Sequence, residues 1–283
     1  MIAWLRARQA GGRVILRIED LDHPRHRPGA TEQIIDELRW LGFDWDEMHL
    51  QSERHALYAD ALARLRAAGL VYPCVCSRRD VEAAQSAPHE GEQLHYPGLC
   101  RGRFASWQEA EAASGRLPCW RFRTPEGSHV AFVDGFAGPY EMDVAAKLGD
   151  FPLARDEQGA GYAIAVTVDD AAMGVTEVVR GDDLLPATPP QILLYRALGL
   201  SAPAFFHVPL VVGPDGRRLA KRHGDTRIAT FRAAGMRSEE ILGFLAHASG
   251  MTAKKEPTGL RSLIGRFEPA HLPRGPLVFE GFT

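Results

Sequence analysis

No stretch of about 18 consecutive apolar residues occurs in the 283-residue chain, so no segment reads as a membrane-spanning helix. A basic stretch followed by an apolar one is also missing from the N-terminus, which argues against a secretory signal and makes the cytoplasm the expected location. Cysteine is scarce: four residues without secretory context are better read as metal ligands or core thiols than as disulfides. An excess of one charge is absent too. The formal net charge is −3, so attraction to nucleic acid cannot be global. It would have to come from local patches such as Arg6/Arg8/Arg13, Arg101/Arg103 and the loop at 217–222. No internal repeat or low-complexity linker interrupts the chain. What remains is a globular composition, 45% apolar, with enough chain for one large or two modest cores, and a monomer is the expected state.

The elements alternate in the manner of an α/β fold. Residues 14–18 read as a short apolar strand, after which Ile34, Ile35, Leu38 and Leu41 recur at helical spacing until Gly42. Leu57, Ala61, Leu62, Leu65 and Ala68 line one face of a second expected helix, with Gly69 at its C-terminal cap. From 71 to about 138 the texture changes to cysteines, prolines and short strands such as 120–123, which reads as an inserted subdomain. Strands are expected again at 151–154 and 163–168, then a helix opened by Pro189-Pro190 and closed by Gly199. Residues 208–212 read as a strand and Gly213-Pro214-Asp215-Gly216 as a turn. The remainder is expected to be mostly helical, with an apolar stripe of Ile241, Leu242, Phe244, Leu245 and Ala248 and a Pro-rich tail from 269. The expected segments are therefore 1–70, 71–138, 139–212 and 213–283.

Three groups of residues carry chemistry. Arg217, Arg218, Lys221 and Arg222 arrive within six positions behind the turn, as phosphate-binding groups on a loop would, although a solvated basic loop has the same look. Glu19 and Asp20 fall at the carboxyl end of the first strand, where an open parallel sheet binds ligands and where an acidic pair can grip an ammonium group or simply be solvated. Cys74-Val75-Cys76, with Cys100 downstream, can supply three corners of a zinc tetrahedron, or be small buried hydrophobes. Tyr96, His89 and His95 are the nearby candidates for the fourth corner, and Cys119 falls outside the pattern as a core thiol.

Four blocks in order then resemble the class I aminoacyl-tRNA synthetases of the glutamyl type. Arg218-Leu219-Ala220-Lys221-Arg222 is similar to their KMSKS loop, with Lys221 on the second lysine; Arg218 and Ala220 depart from the commonest Lys and Ser. Arg17-Ile18-Glu19-Asp20, the segment Tyr162 to Asp170, and Glu177-Val178-Val179-Arg180-Gly181-Asp182-Asp183 supply the other three. The resemblance is strongest to the short glutamyl-queuosine tRNA(Asp) synthetase branch, which lacks anticodon-binding domains.

That resemblance implies a Rossmann-like parallel sheet with its first strand missing, an inserted zinc-binding acceptor subdomain and a helical C-terminal part. It also implies ATP-dependent activation of L-glutamate, with magnesium, and transfer of the glutamyl group to queuosine in the anticodon of tRNA(Asp). The alternatives are a truncated glutamyl-tRNA synthetase charging a tRNA 3′ end and an inactive tRNA- or glutamate-binding relative. Glu19 is implied as the receptor of the glutamate ammonium, Tyr162 as a pocket wall and Arg180 as the carboxylate partner, against a structural Arg180 bridging to Asp182 or Asp183. Lys221 is implied as the catalytic and ATP-binding group, and Cys74, Cys76, Tyr96 and Cys100 as ligands of one structural zinc. Ala163 stands where relatives carry an amide. The HIGH-type turn has no counterpart, because residues 2–8 match the helix that follows it; an upstream start and a decayed relative are the two expectations.

Overall fold

The computed structural model describes residues 1–21, 28–84, 94–155, 157, 161–219 and 227–281. In chain order the elements begin with α1 (Ile2–Gln9), β1 (Ile15–Ile18), α2 (Ala30–Trp40), β2 (Glu47–Leu50), α3 (His55–Ala67), β3 (Val71–Cys74) and α4 (Arg78–Ala83). Next come α5 (Trp107–Ser114), β4 (Cys119–Phe122), β5 (His129–Asp134), β6 (Gly138–Asp143), α6 (Val144–Lys147), β7 (Phe151–Ala154) and α7 (Tyr162–Ala172). The last are β8 (Glu177–Gly181), α8 (Thr188–Leu198), β9 (Ala204–Val208), β10 (Val211–Val212), α9 (Ile228–Ala233), α10 (Ser238–Ala248) and β11 (Leu277–Val278). The chain divides into two compact units, one of Met1–Leu50, Val179–Leu185 and Phe206–Thr283, the other of Gln51–Val178 and Pro186–Phe205.

In the first unit, β1 and β2 pair in parallel from Ile15↔Glu47 to Ile18↔Leu50 across the α2 crossover. Asp44, just before β2, ties α1 to this pair. Its carboxylate accepts from Trp4 Nε1 at 3.0 Å and Arg8 Nη2 at 2.9 Å and also pairs with Arg261. Asp46 accepts from Arg8 Nη1 at 2.8 Å and the Val14 N–H at 2.7 Å. Farther along, Ile241, Leu242 and Phe244 bury the apolar face of α10, and Phe244 meets Phe279 edge-on at 5.5 Å.

In the second unit, β3, β4 and β7 form an antiparallel sheet, with Val71↔Phe122 and Cys74↔Cys119 as the end pairs between β3 and β4. A hairpin of β5 and β6 runs from His129↔Asp143 to Asp134↔Gly138. Residues 163–168, expected as a strand, belong instead to α7. This helix is buried at every position from Ile164 to Asp170, so it has no polar face to reveal a 3.6-residue period, and its β-branched Val166, Thr167 and Val168 imitate a buried strand. Gly161 at its N-cap has no side chain because a Cβ there would meet the Leu153 carbonyl at 2.2 Å. The helix is held by Asp169, whose fully buried carboxylate accepts from Gln51 Nε2, Arg54 Nε and Tyr58 Oη at 2.9, 2.6 and 2.8 Å. Asp170 accepts from Tyr195 Oη on α8 at 3.0 Å.

The single parallel sheet expected from the sequence is not continuous among the described residues. The strands form separate pairs, β1-β2, β8-β9 and β10-β11, beside the antiparallel sheet and hairpin. The expected strand at 208–212 is likewise broken. β9 ends at Val208 and β10 begins at Val211, with Pro209, which has no amide hydrogen, between them. The turn at 213–216 is present, closed by Gly216 N–H to the Gly213 carbonyl at 2.9 Å.

The Asp44 and Asp46 network sets an acid limit for the first unit. Burial opposes the Asp44 charge, but its bonds from Arg8 and Trp4 outweigh it, and the Val14 N–H is the chief cause that lowers Asp46. Both carboxyls are thus held below their ordinary value. Stability contributed by a depressed carboxyl is present above its unfolded pKa of about 3.9 and disappears as pH falls through the folded value. Asp44→Ala is expected to cost about 1 kcal/mol at pH 7, kept small because the side chain is 41% exposed. Urea unfolding at pH 7 and pH 3 checks this: the gap between wild type and variant should shrink at the lower pH.

Candidate functional site

Cys74 closes β3, and Ser77 caps the N-terminus of α4 directly after Cys76, so the Cys-Val-Cys segment is pinned at both ends. The Ser77 hydroxyl accepts from the Asp80 N–H at 3.2 Å, while the Asp80 carboxylate accepts from the Ser77 N–H at 2.7 Å and pairs with Arg116 at 2.7 Å. The Sγ atoms of Cys74, Cys76 and Cys100 lie within 4.8 Å of one another, with Cys76 and Cys100 3.5 Å apart. Tyr96 Oη stands 3.3 Å from Cys74 Sγ and 3.7 Å from Cys76 Sγ, and it accepts from the Cys100 N–H at 2.8 Å. A tetrahedral metal bonded to sulfur at about 2.3 Å requires sulfur–sulfur edges of about 3.8 Å. The 3.5 Å separation and the 4.8 Å limit bracket that edge, so the three thiols form a group that could hold a metal ion.

Of the candidates for the fourth corner, Tyr96 is in contact with the thiols. His95 Nε2 lies 3.2 Å from the Ala145 carbonyl, and His89 lies outside the described residues. Tyr96 is held there by a close backbone approach. Its carbonyl would lie 2.1 Å from a Cβ on Gly149, which also has φ of +65°, and its N–H donates to Leu148 O at 2.8 Å. Cys119, opposite Cys74 in register, packs against the same cluster.

The charges within this cluster are coupled. The Cys119 thiol hydrogen-bonded to Cys74 brings Cys74 down to about 4, whereas burial pushes Cys76 up to about 12 and Tyr96 well above its ordinary value. Burial thus disfavours charge at Cys76, while negative charge is favoured at Cys74. Arg121 is its counter-charge. The guanidinium carbon sits 3.7 Å from the centre of the Tyr96 ring, and Nη1 donates to the Asp150 carbonyl at 2.8 Å. Burial works against the arginine charge, but Cys74 and Cys119 outweigh it and raise its pKa. Asp150 anchors the surroundings, its buried carboxylate accepting from Tyr72 Oη, Arg101 Nε at 3.0 Å and the Thr124 N–H at 2.8 Å.

The residues implied for glutamate and ATP are divided between the two units and the residues outside the description. In the first unit, Glu19 is exposed just past β1 and takes Arg17 Nη2 at 3.3 Å. Arg180 on β8 donates through Nε to His207 Nε2 at 3.0 Å. Because that histidine nitrogen accepts, the bond places the His207 proton on Nδ1. His207 is fully buried on β9. Asp183, the alternative partner for Arg180, pairs with Arg218 at 3.1 Å. Tyr162 belongs to the second unit, where it opens α7 and is 54% exposed. Ala220, Lys221 and Arg222 lie outside the described residues.

The basic patches expected for nucleic acid are mostly committed elsewhere. Arg8 pairs with Asp44 and Asp46, Arg13 with Glu47 and Arg101 with Asp150, while Arg6 lies over the Phe206 ring at 4.3 Å. Sequence reading counts cations without their carboxylates, which here come from residues 34 to 49 positions away. His207 and Arg121 were missed as site residues. A lone histidine in an apolar strand and an arginine between aromatic residues both read as ordinary strand composition.

Residues 1–270 match the family described as tRNA synthetases class I (E and Q), catalytic domain. The chain belongs to that family. It is 51% identical over 294 residues to a glutamyl-Q tRNA(Asp) synthetase of Symbiobacterium thermophilum, covering all of this chain and 90% of that protein. A protein of the same description from Nitratidesulfovibrio vulgaris is 44% identical, with 98% and 89% covered. Glutamate–tRNA ligase 1 of Halorhodospira halophila is 38% identical, but this chain spans only 58% of its length. A crystal structure of a glutamate tRNA ligase from Elizabethkingia meningosepticum shares the fold with a TM-score of 0.79 at 24% identity, over 99% of this chain and 62% of that one. The expected class I catalytic fold is thereby established. Among the described residues no helix is long and apolar enough to cross a membrane.

Gly149→Ala tests the cluster's packing without altering a ligand. The added methyl group meets a backbone carbonyl and the residue keeps a left-handed φ, so a loss of more than about 2 kcal/mol is expected in thermal or urea unfolding. Tyr96→Phe retains the ring beneath Arg121 but leaves the Cys100 N–H unmatched, which should cost about 1 kcal/mol in metal-free protein.

Proposed function

We propose that this chain activates L-glutamate with magnesium-bound ATP and transfers the glutamyl group to queuosine in the anticodon of tRNA(Asp). The observation that carries the reading is the 51% identity to a glutamyl-Q tRNA(Asp) synthetase along the full chain. In the first step a glutamate α-carboxylate oxygen attacks the α-phosphorus of ATP, and the bond to the departing pyrophosphate breaks. A hydroxyl of the queuosine cyclopentene-diol then attacks the acyl carbon and AMP leaves. Positioning and fixed positive charge supply most of the acceleration in such transfers. Lys221 is the group assigned to the charge developing on the phosphate.

Arg180 is assigned to the substrate carboxylate, Glu19 to its ammonium group and Tyr162 to the pocket wall. His207 supports Arg180 as a positioning residue, its neutral Nε2 holding the guanidinium without competing as a carboxylate would. One zinc is proposed at Cys74, Cys76, Cys100 and Tyr96. With every corner filled by protein the site is structural, and Arg121 offsets the negative charge of the ligand set. The second reading, a glutamate–tRNA ligase acting on a tRNA 3′ end, draws on the 38% identity to the Halorhodospira halophila enzyme, below the 51% to the glutamyl-Q tRNA(Asp) synthetase.

Glutamate-dependent pyrophosphate exchange, followed by labelling of queuosine-containing tRNA(Asp) against tRNA(Glu), tests the two steps. Label on tRNA(Glu) alone would replace the first reading with the second, and absence of exchange would sink both. Arg180→Ala should raise the KM for glutamate far more than that for ATP, since truncating one partner of a buried charge pair costs about 2 to 5 kcal/mol. His207→Leu should raise the glutamate KM more than it lowers kcat. Metal analysis should find one zinc per chain, whose uptake releases protons and tightens with rising pH because Cys76 and Tyr96 are held protonated without it.

A further inference from the structure

Four arginines of the second unit described above are matched by carboxylates: Arg54 by Asp169, Arg78 by Glu82, Arg101 by Asp150 and Arg116 by Asp80. Arg66 and Arg123 are absent from every ion pair among the described residues. Each guanidinium carbon lies instead near an aromatic ring, Arg66 at 4.8 Å from the centre of Trp120 and Arg123 at 5.6 Å from that of Tyr72. Arg66 projects from the last turn of α3, and Arg123 follows β4.

Both line an open cleft of about 490 Å³ whose wall includes Tyr72, Phe104 and Trp120 and whose only charged side chains, among the described residues, are these two arginines. Arg123 Nε is buried without a hydrogen-bond partner. At the edge, Gly102 is bare of side chain, with nothing within 4 Å of where a Cβ would stand.

The physical content of this cleft is specific. A guanidinium packed against a ring stays charged and keeps donors for an oxyanion, with less freedom to lose on binding than a solvated one. With cations only, in a chain of net charge −3, the cleft selects an anion locally. Aromatic faces and guanidinium planes are surfaces on which an unstacked base settles, and the volume lies within the range of sites for ligands of nucleotide size.

We propose that this cleft binds a phosphodiester-linked nucleotide of an RNA partner, its phosphate between Arg66 and Arg123 and its base against the aromatic wall. The proposal rests on the functional reading above only in taking that RNA to be the tRNA substrate. None of the residues assigned to glutamate, ATP or zinc lines the cleft.

The test measures binding of fluorescent tRNA(Asp) to the full chain across a series of salt concentrations, in parallel with glutamate-dependent pyrophosphate exchange. The double variant Arg66→Ala/Arg123→Ala should bind more weakly and lower the slope of log affinity against log salt by about two, one for each arginine removed from the phosphate, with exchange unchanged. Arg66→Glu, on an exposed helix position, guards against misfolding of the double variant and should weaken binding more than Arg66→Ala alone. Equal affinity and slope in wild type and all variants would overturn the proposal. So would loss of binding to free AMP or UMP in the double variant while tRNA binding is retained, which would mark a mononucleotide site. A wild type that shows the tRNA effect but no pyrophosphate exchange would remove the functional reading and leave the cleft assignment standing.

Discussion

The second unit is organised by a buried carboxylate inside an apolar helix. Asp169 has no exposure, and an ionised group there is tolerated only when donors replace its lost water. Gln51, Arg54 and Tyr58 supply them from the start of the unit and from α3, and Asp170 repeats the arrangement toward α8 through Tyr195. The result is directional. Apolar packing would allow α7 to slide or rotate against its neighbours at small cost, but the acceptors at Asp169 and Asp170 admit one register. That register places Tyr162 at the exposed first position of the helix.

A similar division of labour runs through the thiol cluster. Tyr72, Cys74, Val81, Tyr96, Cys100 and Phe104 form a hydrophobic core cluster, so the same residues that could bind a metal also exclude water. Burial alone would push every thiol toward its neutral form. The hydrogen bond from Cys119, helped by Arg121, reverses that for Cys74. The opposed shifts at Cys74 and Cys76 reflect that difference in partners, burial prevailing at Cys76. Asp150 steadies the protein side of this balance by holding Tyr72, Arg101 and Thr124, and Gly149 beside it gives Tyr96 its close backbone approach.

Much of the element layout was legible from spacing. The helix at 188–198, opened by two prolines and ended by Gly199, the helix ended by Gly69, and the strand at 151–154 all follow local rules that act within a few residues. The failures have separate causes. Residues 163–168 look like a strand because burial on all sides removes helical periodicity, and 208–212 looks continuous because hydrophobicity does not register a missing proline donor. The separate strand pairs follow from which backbone groups find partners, which no window of sequence contains.

Sequence by itself determined the family, since four blocks in fixed order are specific even when each is weak; spacing raised Cys74, Cys76 and Cys100 as possible metal ligands, and only the resemblance pointed to Tyr96. It could not choose between Tyr96 and His95, because both are close along the chain and only folding brings the Tyr96 oxygen to the thiols while His95 turns to the Ala145 carbonyl. Nor could it separate committed arginines from available ones. Charge pairing joins residues far apart in sequence, so Arg101 and Arg8 looked like phosphate ligands until Asp150 and Asp44 were found beside them, whereas Arg66 and Arg123 drew no notice. Local chemistry is written residue by residue, but the electrostatic role of each group depends on neighbours that only the tertiary fold assembles.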